Sequence, residues 1–159
     1  MKRISTIFLQ AVIVLISIVA LIILIRFPLT EGRAQNLDVL SIYLDTFILY
    51  AYASSIVFFV ALYKVFQLLG TIRNNNLFSI SAIKTLKGIK NCAIILSILI
   101  MLAGVYIRIF HSKEDDPAGF LALCIITIFM SITVAIAVGV LERIVQNALE
   151  MKSENDLTI

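Results

Sequence analysis

The stretch AGFLALCIITIFMSITVAIAVGVL, Ala118 to Leu141, runs for 24 residues without a single Lys, Arg, Asp or Glu. A helix rises about 1.5 Å per residue, so this run is long enough to cross a hydrocarbon core of about 30 Å. Three more uncharged runs have comparable reach: Ile4 to Ile25, Thr46 to Tyr63 and Asn91 to Ile107. Inside a bilayer the backbone N–H and C=O groups find no water, and a helix satisfies them within its own segment. The expected fold is therefore all-α, an integral membrane antiparallel four-helix bundle with spans at about 4–25, 46–69, 89–110 and 117–141 and a tail over 142–159. Short connections between successive spans make neighbours alternate in direction.

Composition agrees. Apolar residues make up 61% of the 159 positions and the mean hydropathy is +1.06, against roughly 45–50% apolar in soluble domains. No segment left over is long or apolar enough for a core of its own, so 1–159 reads as a single membrane domain. The first run follows Lys2 and Arg3 as a signal peptide's would, but its 22 residues exceed the roughly 7–15 of an h-region, and it is expected to be a retained span. Pro28 is expected to end that helix. Cys92 and Cys124 fall at different depths of their spans, which disfavours a bond and makes them unpaired packing residues.

The net charge of +3 would suggest nucleic acid in a soluble protein, but here the basic residues are sorted by membrane side. The N-terminus (Lys2, Arg3), the central connection (Lys64, Arg73, Lys84, Lys87, Lys90) and the tail (Arg143, Lys152) hold nine of them. The other two loops hold four, Arg26, Arg33, Arg108 and Lys113, together with six of the ten acids. Lys and Arg accumulate on the cytoplasmic side, so both termini are expected in the cytoplasm.

The central connection has five basic residues and no acidic one, a composition suited to anionic lipid headgroups. Span two can continue helically through Leu69 and Ile72 to a turn at Asn74-Asn75-Asn76, after which Ser79 or Ser81 can cap a new helix. The expected result is a basic amphipathic cytoplasmic helical hairpin between spans two and three. Its second arm carries Ile80, Ile83, Leu86 and Ile89 at three-residue spacing, with Lys84, Lys87 and Lys90 on a stripe about 100° away, as an interfacial lead-in to span three. At the start of span four, Asp116 is placed to cap and Pro117 to occupy the first turn. The triplet Glu114-Asp115-Asp116 lacks the further oxygen ligands of a calcium loop. Within span four, Thr127, Ser131, Ala135 and Gly139 recur every four residues and form a small-residue helix-packing face, for another span of the same chain or for a second copy in a homo-oligomer. Ala51 and Ser55 repeat the pattern on span two.

The one histidine, His111, rules out multi-histidine metal sites by count, and no span pairs a nucleophile with a base or one carboxylate with another. Neither an enzyme nor a cofactor is expected. No ionisable side chain lies within a span, which weighs against ion-coupled transport. Gln10, Tyr50, Tyr52, Ser54 and Ser55 either line a polar cavity or satisfy one another between helices.

Asn76-Leu77-Phe78-Ser79, Leu86-Lys87-Gly88-Ile89 and the ending Glu154-Asn155-Asp156-Leu157-Thr158-Ile159 resemble a family of small bacterial multi-pass membrane proteins, the domain of unknown function 2975. The similarity covers most of the chain and is best after Thr71. The resemblance assigns no activity and implies, as a partner, a small helix-turn-helix regulator. The tail is expected to continue the span-four helix, with Leu141, Ile144, Val145, Ala148, Leu149 and Met151 on one side, and its apolar end Leu157 and Ile159 is open to capture by a partner groove. The leading expectation is a non-enzymatic protein that associates through its basic cytoplasmic surface, Lys64, Arg73, Lys84, Lys87 and Lys90, with anionic lipid and a regulator, without touching nucleic acid directly. The alternative is a small transporter, exporter component or immunity-type protein that handles a hydrophobic or peptide ligand between helices.

Overall fold

A computed structural model describes residues 2–30, 45–74, 76–110 and 117–157, with side chains described over 5–26, 28, 45–74, 76–110 and 117–154. Four helices make up these residues: α1 (Lys2–Thr30), α2 (Thr46–Arg73), α3 (Ile80–Phe110) and α4 (Ala118–Leu157). Each is long and apolar enough to cross a membrane.

Local chemistry sets the ends. The Asp45 carboxylate accepts the Phe47 N–H at 2.8 Å and so caps α2, while its carbonyl takes the Leu49 N–H at 2.9 Å. At the other end of α2 the Asn74 N–H donates to the Gly70 carbonyl at 3.2 Å. Of the two candidate serines it is Ser79 that caps α3, its Oγ accepting the Ala82 N–H at 3.2 Å. The Pro117 carbonyl receives the Leu121 N–H at 2.9 Å at the start of α4. The expected cap Asp116, with His111, the rest of the acidic triplet, Asn75 and Ile159, lies outside the described residues.

Pro28 does not end α1, which continues to Thr30. A proline removes the N–H that the carbonyl four residues earlier would have received, here that of Leu24. The Tyr52 hydroxyl on α2 donates to that carbonyl at 3.4 Å and takes the place of the missing amide. One other boundary also differs from expectation. The arm before span three is no separate lead-in but the first part of an unbroken α3, and its Leu86 and Ile89 are buried by protein rather than laid on headgroups. The tail is helical as far as Leu157.

Among the described residues the extended contacts are between consecutive helices, α1 with α2, α2 with α3, and most extensively α3 with α4. A side-chain hydrogen bond to a backbone carbonyl crosses each of these contacts. Gln10 Nε2 donates to the Phe66 carbonyl at 3.4 Å, the Tyr50 hydroxyl to the Leu99 carbonyl at 2.7 Å, and the Ser131 hydroxyl to the Ala93 carbonyl at 2.8 Å.

The charges fall at two levels. On one side stand Lys64, Lys90 and Glu142; on the other Arg26, Asp45 and Arg108, beside an aromatic cluster in which Phe47 meets Tyr106 at 6.2 Å and Phe120 at 5.8 Å between ring centroids. At 1.5 Å per residue the helices span about 27 to 38 Å between these levels, the dimension of a hydrocarbon core with its interfaces. Aromatic rings favour that boundary. Burial is concentrated near the basic level: Ala82, Thr85, Leu86, Ile89 and Val145 are at most 5% exposed. Apolar side chains need burial where water would reach them, whereas lipid tails solvate them elsewhere, and the apolar surface of α1 is exposed nearly all round.

Candidate lipid and partner surface

The five basic residues expected to form one surface occupy three environments. Arg73 ends α2, and Lys84 and Lys87 stand on the first turns of α3; all three are exposed. Lys64 is half-buried, and its side chain lies flat across α3 at Gly88: a Cβ added there would sit 2.8 Å from its Cδ, Cε and Nζ. Glycine therefore supplies the channel through which this lysine reaches the polar level, its stem covering apolar surface. Lys90 is not free: its Nζ meets Glu142 Oε2 of α4 at 2.5 Å, with the carboxylate side chain only 12% exposed. The exposed basic residues of the five are thus Arg73, Lys84 and Lys87. In the sequence Glu142 looks like an ordinary tail charge, although it stands where the uncharged run of span four ends, as Lys90 stands where that of span three begins.

The small-residue stripe divides similarly. Ser131 bonds across to Ala93, Ala135 is 6% exposed, and Gly139 faces Lys90, its notional Cβ 3.4 Å from Lys90 Cδ. Thr127 is exposed and donates back to its own Leu123 carbonyl at 2.7 Å. At 3.6 residues per turn a strict four-residue step drifts by about 40°, so positions 127 and 139 point about 120° apart. The face that is covered on α4 is Leu121, Cys124, Ile128, Ser131, Ala135, Val138, Glu142, Val145 and Leu149, in alternating steps of three and four. That seven-residue repeat drifts only about 20° per repeat and keeps one side toward α3. Cys124 sits on it opposite Gly104, 3.7 Å from a notional Cβ; both Cys92 and Cys124 are free and buried.

The polar residues of the spans are held mostly by backbone carbonyls, as described for Gln10, Tyr50 and Tyr52; Ser55 donates to the Tyr52 carbonyl at 2.7 Å. The Ser54 hydroxyl is buried without a partner among the described residues and lines a cavity of about 430 Å³ between α1, α2 and α3, otherwise walled chiefly by Ile23, Phe58, Phe59, Leu96 and Ile100. Among the described residues no three of His, Cys, Asp and Glu gather as a metal-ligand set.

Four apolar helices, capped by polar levels and packed in chain order, match what is found on comparison with known proteins. The family profile described as "Protein of unknown function (DUF2975)" matches residues 10–159. The chain belongs to the DUF2975 family. It is 35% identical over 161 residues, covering 100% of both chains, to the "Uncharacterized membrane protein YoaS" of Bacillus subtilis (strain 168). No solved structure matches it. This DUF2975 chain is accordingly a multi-pass membrane protein, and the match reaches back through the first hairpin, whose sequence has only generic apolar character.

Proposed function

We propose that this DUF2975 member is a non-enzymatic protein of the bacterial cell membrane, an antiparallel four-span bundle with both termini in the cytoplasm, that works by association. Its spans anchor a basic cytoplasmic hairpin that engages anionic lipid headgroups and presents the same surface to a regulatory protein. The observation that carries this reading is the run Lys64 to Lys90, five basic residues without an acid, with Arg73, Lys84 and Lys87 all exposed near the turn between α2 and α3. The excess of Lys and Arg in the termini and this connection supports the orientation.

The test replaces Arg73, Lys84 and Lys87 together by Gln, sparing Lys90 because it is committed to Glu142. The protein is placed in bilayer discs of mixed phosphatidylglycerol and phosphatidylcholine. Each base near an anionic surface is worth about 1 kcal/mol, so the enrichment of phosphatidylglycerol around the protein at low salt is expected to fall several-fold. Cytoplasmic proteins crosslinked to the unaltered chain should be lost as well. Unchanged enrichment together with an unchanged crosslinked set would refute the association. Thiol labels at positions 5 and 153, in protein with Ser at 92 and 124, should react from the same side of intact vesicles.

One observation favours a second reading, a small transporter, exporter component or immunity-type protein for a hydrophobic or peptide ligand: the unbonded Ser54 hydroxyl beside an apolar cavity. Solute flux into vesicles containing the purified protein separates the two, and no flux across a broad panel would count against it.

A further inference from the structure

The contact between α3 and α4 leaves a groove on its lipid-facing side, about 780 Å³ in volume. Ile94, Ile132, Ile136 and Val140 form its apolar wall, and small residues, Ala135 and Gly139, make its floor. The wall residues Ile94, Ile132, Ile136 and Val140 are all exposed to the surroundings of the helix pair. From Ile132 to its mouth at Glu142 the groove follows α4 for about 15 Å, one leaflet's share of a hydrocarbon core of about 30 Å. Its mouth stands at the basic charge level, where Lys90, Glu142 and Arg143 meet. Lys90 and Glu142 neutralise one another. Arg143 is exposed and has no ion pair among the described residues, so the mouth keeps one unbalanced positive charge.

We propose that this groove is a binding site for a single anionic phospholipid, one acyl chain lying along Ile94, Ile132, Ile136 and Val140 and the phosphate resting on the Arg143 guanidinium. In a bilayer such a groove is filled by hydrocarbon in any case, and the charge at its mouth decides which headgroup comes with it. A planar guanidinium is suited to two-point contact with a phosphate, and basic pockets between helices at the cytoplasmic side are a recurrent way of holding anionic lipid. The Lys90–Glu142 pair contributes by fixing the two helices at the groove's mouth. Gly139 leaves space there for the lysine stem and the floor. The site is separate from Arg73, Lys84 and Lys87 and rests on the proposed function only for the leaflet it faces.

Native mass spectrometry of protein extracted in mild detergent, titrated with dioleoyl-phosphatidylglycerol or dioleoyl-phosphatidylcholine, tests the site. The unaltered chain should retain one phosphatidylglycerol in preference to phosphatidylcholine. Arg143→Gln should weaken that retention about fivefold, while Lys152→Gln, exposed further along the same helix, should leave it unchanged. Val140→Trp, which fills the groove from its exposed wall, should lower retention of both lipids. Equal retention of the two headgroups, indifference to Arg143→Gln, or a dimer that excludes lipid from the groove would overturn the site. The Arg73, Lys84, Lys87 triple variant separates this result from the broader reading: it should keep the single retained lipid while losing the surrounding enrichment, and loss of the retained lipid in that variant with Arg143 intact would overturn the groove.

Discussion

Tyr52 carries a task that no pattern of apolar residues reveals. Pro28 deprives the Leu24 carbonyl of its amide, and within lipid an unpaired carbonyl has no water to turn to. The hydroxyl that reaches it comes from 28 residues away. Tyr52→Phe is expected to destabilise the protein by about 0.6 kcal/mol, a usual figure for hydrogen bonds between membrane helices. In a Pro28→Ala background, where the amide is restored, the same change should be nearly neutral. Thermal unfolding of the four proteins in detergent measures this coupling, and equal losses in both backgrounds would show that the hydroxyl does not serve that carbonyl. Proline read alone suggests a terminator because the rule is local, and the compensating donor lies on another helix. Lys90 shows the same limit: its charge and depth were legible, but its partnership with Glu142 depends on how two helices are set against each other.

At the level of helices, the contact between α3 and α4 was in the sequence but under a different period. A four-residue comb picks out Thr127 with Ser131, Ala135 and Gly139, whereas steps of three and four from Leu121 to Leu149 pick out the side that is covered. Ala135→Leu therefore inserts bulk into a packed seam and should destabilise the protein by about 1–3 kcal/mol. Thr127→Leu, on the exposed side, should change stability by less than about 0.5 kcal/mol. Unfolding in detergent distinguishes the two, and a larger loss at Thr127 than at Ala135 would return the contact to the four-residue stripe. The turn between α2 and α3 was more legible, since Ser79 and the asparagines carry their meaning in short-range capping.

For the molecule as a whole, the number and length of the spans could be read directly, because excluding charge from lipid is an energetic demand on each segment by itself. Which spans touch could not be read that way. The extensive contacts among the described residues run in chain order, and none of them joins α1 to α4. In protein with Ser at 92 and 124, Cys placed at 10 and 70 should be joined within one monomer by a short bis-maleimide, since Gln10 Nε2 lies 3.7 Å from a notional Cβ on Gly70. Cys placed at 14 and 136, both exposed, should not. Equal yields would mean a ring of helices instead of a row. The continuity of α4 reaches further than the packing. From Ala118 to Leu157 it is one rod of 40 residues, and beyond Glu142 about 22 Å of it extends past the charge level. No joint interrupts that length, so a displacement imposed at its far end is carried toward the seam with α3 and is not absorbed at a hinge.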